Sequence, residues 1–84
     1  MSIATDFRQR RKGQLTTLQE NRKKIDFQAT DALAAILMKA DTLTEIAKLD
    51  TAAILRNAED LNICVMELKK LDEQITAINE ELYG

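Results

Sequence analysis

Proline is absent from this chain, and glycine occurs only at Gly13 and Gly84. These are the two residues that most readily interrupt regular structure, so long unbroken helices become the default. The remaining composition agrees, because Ala, Leu, Glu, Lys, Gln and Arg dominate and these residues lose little on entering a helix. The expected fold class is all-α.

Length sets the next constraint. A chain of 84 residues buries only about 60–65% of the surface it exposes when unfolded. Chains of this size usually add disulfides, a metal, oligomerisation or very regular helix packing. One cysteine, Cys64, and no histidine leave the last two. A lone cysteine suits a reducing compartment. The segment from Met1 to Lys12 lacks the order of a secretory signal, in which charge precedes an apolar stretch. The longest apolar run, Ala32 to Met38, is far short of the roughly 20 residues that cross a bilayer. These features predict a cytoplasmic protein with no membrane span.

With so few turn residues, helix ends must be read from caps. Three S/T-x-x-E/Q patterns occur, at Thr16 to Gln19, Thr17 to Glu20 and Thr42 to Glu45, and each has the form of a capping box. The third follows the longest apolar run, close to the chain midpoint. The predicted organisation is a basic N-terminal arm at 1–14, short helix or frayed, followed by a helical hairpin at 15–84. Its first helix spans about 15–40, a tight turn lies near 41–42, and its second helix spans about 43–82. That second helix would be roughly 60 Å long, so the hairpin is expected to be an elongated, antiparallel one.

Leu61, Cys64, Leu68, Leu71, Ile75, Ile78 and Leu82 follow one another in steps of three and four, the spacing that holds a seam against a partner helix. Extended backward, this register meets Asn57 and Asp50. Both suit a register-setting polar position, but a drift of the interacting face away from them in the first half of the helix is the favoured account. The run Ala32 to Met38 is apolar on nearly every side, which implies neighbours on every side. One hairpin offers a single seam. Leu33, Ile36, Leu37, Leu43, Ile46 and Ile54 are therefore the expected oligomer interface of a homo-oligomeric, dimeric helix bundle.

The net charge of −2 conceals an asymmetry. Residues 1–28 hold seven basic and three acidic side chains, a balance of +4, and the remainder carries −6. Arg8, Arg11, Lys12, Arg22 and Lys23 form a candidate anion-binding stripe on a continuous helix. Two readings stay open: the arm neutralises the acidic second helix, or it binds an external polyanion such as nucleic acid. A turn near 41–42 would set Arg22 and Lys23 against Asp60, and Arg10 to Lys12 against Asp72 and Glu73. It would also leave Ile3, Phe7, Leu15 and Leu18 to cover the whole second seam. On that count Leu61, Leu68, Leu71, Ile75, Ile78 and Leu82 become a candidate groove for another protein's helix.

Catalytic chemistry is poorly supplied. No histidine is present to titrate near neutral pH, and Cys64 stands on an apolar seam with no activating base. No Gly-rich phosphate loop or cysteine-pair metal pattern occurs. The expectation is a protein that is not an enzyme and uses no metal or cofactor. It would act as an adaptor, small chaperone or assembly subunit, with nucleic-acid regulation as the alternative.

Overall fold

The computed structural model describes residues 3–84; the first two residues of the expected arm lie outside the described residues. Helix α1 spans Ile3–Lys39, a single 3-10 turn covers Ile46–Lys48, and helix α2 spans Thr51–Tyr83. The helices pack into one hairpin of 67 × 16 × 15 Å. Its radius of gyration is 19.2 Å, against about 12 Å for a compact domain of equal length.

Three expectations about boundaries are corrected. The arm is not separate from the hairpin, because α1 is continuous through Gly13. A Cβ at Gly13 would meet nothing within 4 Å, so this glycine ends nothing and relieves no close approach. Thr16 and Thr17 cap no helix. Their hydroxyls donate to the Lys12 and Gly13 carbonyls at 3.1 Å, the i−4 bond that such residues make inside a helix. The third correction concerns the reversal, which is not tight.

The connection occupies residues 40–50. No described residue has positive φ, and a helix that reverses sharply usually needs one. The chain instead turns through local bonds. The Asp41 carboxylate accepts from the Leu43 N–H at 2.9 Å. The Lys48 N–H donates to the Glu45 carbonyl, and Lys48 pairs with the Glu45 carboxylate at 3.4 Å. Thr42 and Glu45 form no capping box, since Glu45 is extended, with φ −59° and ψ 132°. The cap of α2 is Asp50, whose side chain accepts from the Ala53 N–H at 3.0 Å. Asp50 is therefore a helix-starting residue rather than a register-setting one.

The longer connection shifts the hairpin register. Residues that face each other have numbers summing to 92–94, as in Arg11 with Glu81 and Arg22 with Asp72. A turn at 41–42 would have given about 83, so the helices are displaced by roughly 15 Å at 1.5 Å per residue. Leu15, Ile78 and Leu82 form the central cluster, with Leu18 and Ile75 packed on it. Ala29 and Leu71 are the other two buried residues among those described. The inner face of α1 reads Arg11, Leu15, Leu18, Arg22, Ile25, Ala29, Ala32 and Ile36, each buried or half-buried, in the same alternation of three and four that α2 shows.

Candidate functional site

The α2 seam points at the chain's own first helix. Leu71, Ile78 and Leu82 are buried, and Leu61, Leu68 and Ile75 are half-buried. The expected vacancy for a client helix came from the wrong register. With α1 displaced, Leu15, Leu18, Ile25, Ala29 and Ala32 lie opposite residues 61–78 and supply the missing cover. Ile3 and Phe7, assigned to that task from the sequence, are exposed at the free end of the hairpin. Asn57 stays at the seam, half-buried.

The basic stripe is partly consumed. Arg22 donates from Nε to one Asp72 carboxylate oxygen at 2.5 Å and from Nη2 to the other at 3.3 Å, a two-point contact that fits the planar guanidinium. These hydrogen bonds hold the Asp72 carboxyl below the usual carboxylate range and raise Arg22 further. Arg11 pairs with Glu81 at 2.9 Å, and Arg8 lies over the Tyr83 ring, 5.7 Å from its centroid. Thus the basic end meets the acidic end, but Arg22 reaches Asp72 instead of Asp60, and Arg11 reaches Glu81 instead of Asp72. Lys12 and Lys23 are exposed, with no carboxylate within pairing distance among the described residues.

Apolar exposure is concentrated at the other end. Phe27, Leu33, Leu37, Met38, Leu43, Ile46, Leu55, Ile63 and Met66 are all exposed, with Leu43 at 92% and Ile46 at 81%. Ala29 is the one buried residue between positions 27 and 66. Of the expected oligomer interface, Leu33, Leu37, Leu43 and Ile46 are open to solvent, and Ile36 and Ile54 are half-covered by the opposite helix. The connection adds to this surface because it holds Leu43 and Ile46 off both long helices. Sequence reasoning missed Phe27, Ile63 and Met66, which stand off the seam on outward positions. Their signal was available: they are large apolar residues that fall between the three-four steps of the heptad.

Little chemistry beyond packing is present in this geometry. A groove open to solvent lies between the helices beside Arg11, Gln14, Leu18, Gln74, Ile78 and Glu81. Among the described residues, none that is buried is polar or charged. Among the described residues no group of His, Cys, Asp and Glu side chains is placed to hold a metal ion, and Cys64 is a free, half-buried thiol. Among the same residues, no helix is long and apolar enough to cross a membrane. No protein-family model, curated protein or solved structure matches the chain.

Proposed function

We propose that this protein is a non-enzymatic interaction module, an adaptor, small chaperone or assembly subunit, that self-associates through the turn half of its hairpin. The observation that carries this reading is the surface between residues 27 and 66, where nine large apolar side chains are exposed over a single buried alanine. Large apolar side chains exposed together in one half of a molecule mark a surface for interaction. Area supports the same conclusion. The chain exposes 6624 Å², whereas a monomeric globule of 9.5 kDa would expose about 5,000 Å². The surplus of roughly 1,600 Å² per chain falls within what an obligate dimer removes from each partner.

Another protein's helix would take the same turn half, since the α2 seam is occupied from within. The lone free thiol, Cys64, supports a reducing, cytoplasmic setting. Nucleic-acid binding has less support, because Arg11 and Arg22 already serve Glu81 and Asp72. Size-exclusion chromatography with light scattering tests the reading. The wild type runs at twice its chain mass or more at micromolar concentration, and the triple variant Leu33→Ser, Leu37→Ser, Leu55→Ser runs at one chain mass with its helicity retained. A wild type at one chain mass would overturn it.

A further inference from the structure

Two parallel helices in contact present two long sides, one on each flank of their seam. In this hairpin the two sides can be told apart. The Arg22–Asp72 pair marks one of them. Leu33 follows Arg22 by eleven residues, about three turns, and Val65 and Ile54 precede Asp72 by seven and eighteen, about two turns and five. All three therefore continue the marked side into the turn half. Thr30, Leu37 and Ala58, each within one turn of these, lie on the same flank. The groove lined by Gln28, Asp31, Asp60, Ile63 and Cys64 opens on the other side, since Asp31 is nine residues from Arg22, about two and a half turns.

Charge in the turn half falls unequally on the two sides. Between positions 29 and 40 of α1 and between 53 and 65 of α2 the charged residues are Asp31, Lys39, Arg56, Glu59 and Asp60. Asp31 and Asp60 line the groove. Lys39 follows Gln28 by eleven residues and Arg56 precedes Asp60 by four, so both stand on the groove side as well. Glu59, two residues from Asn57 and from Leu61, points away from α1. The marked side carries none of the five. Its uncharged stretch ends toward the free ends at Asp26 and Lys69, which are nearly level with each other in the hairpin register.

What remains on the marked side can be covered at little cost. Leu33 and Leu37 are 46% and 66% exposed, Ala58 is exposed, and Ile54 and Val65 are half-buried. The Thr30 hydroxyl already donates to the Asp26 carbonyl at 2.9 Å, so covering it strands no donor. Asn62 lies at the outer edge, where interfaces are polar. Burying the groove side would instead take four charges out of water, and desolvated charges are costly even when paired. Depletion of charge, more than apolar content, distinguishes the core of an interface. An uncharged side also needs no matching charges in whatever covers it, so an identical side can serve, as a two-fold contact requires.

We infer that the second copy packs on the side of the turn half that carries Leu33, Leu37, Ile54, Ala58 and Val65, and that the groove beside Asp31, Asp60 and Cys64 stays open in the dimer. The inference rests on the self-association proposed above and adds which side performs it.

One substitution on each side, with the dimer affinity measured by sedimentation, tests this. Ala58→Glu sets a charge into the uncharged side and should weaken the dimer by about a hundredfold or more. Ile63→Glu, on the groove side, should change it by less than about threefold. Circular dichroism checks that both keep their helices, and Leu33→Glu repeats the test from α1 should Ala58→Glu lose them. Cys64 gives a second readout without altering the interface. Its rate of reaction with a maleimide should agree within about twofold between the wild-type dimer and the same chain diluted to monomer, because the groove is open in both. A dimer that withstands Ala58→Glu and Leu33→Glu, or that dissociates with Ile63→Glu, would overturn the assignment of the side and leave self-association standing. Strong protection of Cys64 in the dimer would overturn it too. A wild type that is monomeric would remove both.

Discussion

The two ends of this hairpin are built from the same two helices yet stand in opposite relations to water. At the free ends Leu15, Leu71, Ile78 and Leu82 are buried, and both ion pairs between the helices lie there. Toward the connection one small residue, Ala29, is buried, large apolar side chains are exposed, and no ion pair crosses between the helices. The free-end half completes itself; the turn half is left incomplete by its own chain. The lesson concerns side-chain size at the seam. Leu opposite Ile fills the gap between two helices, whereas Ala29 and Ala32 on α1 leave little for Asn57, Leu61 and Cys64 to pack against.

The sharpest way to break this contrast is to attack each half and compare what fails. The turn-half variant Leu33→Ser, Leu37→Ser, Leu55→Ser should lose association by more than about a hundredfold, roughly 3 kcal/mol or more. Its circular dichroism spectrum should stay that of the wild type. In the free-end half, Ile78→Ala should cost about 2–4 kcal/mol of stability, since it removes a buried branched side chain from the central cluster. Urea denaturation at one fixed protein concentration measures it. Equal losses of stability from Ile78→Ala and from Leu37→Ala would erase the distinction between the halves.

Smaller effects sharpen the picture. Replacing the cap, Asp50→Ala, should destabilise the protein by about 1 kcal/mol, because the Ala53 N–H loses its acceptor at the start of α2. Thermal unfolding followed at 222 nm would register this. Gly13→Ala should act in the other direction and stabilise by about 0.5–1 kcal/mol, given the open space around its Cα and the helical backbone on both sides. A destabilising result would mean that α1 is interrupted at Gly13.

The smallest effect belongs to the exposed Arg22–Asp72 pair. Asp72 has its carboxyl held below the ordinary value by the Arg22 hydrogen bonds. Its contribution is therefore complete above that ordinary value, about 4, and is lost as pH falls through the depressed one. The acid limb of the stability profile should accordingly flatten slightly in Asp72→Asn, and the difference between variant and wild type should shrink in high salt. A wild-type profile with no acid slope attributable to Asp72 would show that solvent screens the pair completely.

Much of the fold was legible in the residues. The scarcity of breakers implied helices, the three-four spacing from Leu61 to Leu82 marked the inner face of α2, and the apolar run from Ala32 to Met38 pointed to the exposed end. The α1 seam was harder to read because Arg11 and Arg22 occupy two of its positions. An arginine can sit there when its stem lies along the seam and its head turns out to an acid on the opposite helix, a condition met only once Glu81 and Asp72 are placed.

What the sequence determined alone is the set of faces: which side of each helix is apolar, and therefore that two helices pair. What only the tertiary structure decided is their axial offset. A heptad pattern looks the same after a slide of seven residues, so periodicity names the face and leaves the register open. The register follows from the eleven residues of the connection, where side-chain oxygens of Asp41 and Asp50 capture backbone N–H groups and delay the start of α2 until Thr51. That delay carries Arg22 to Asp72, closes the α2 seam, and leaves the apolar surface open at the turn.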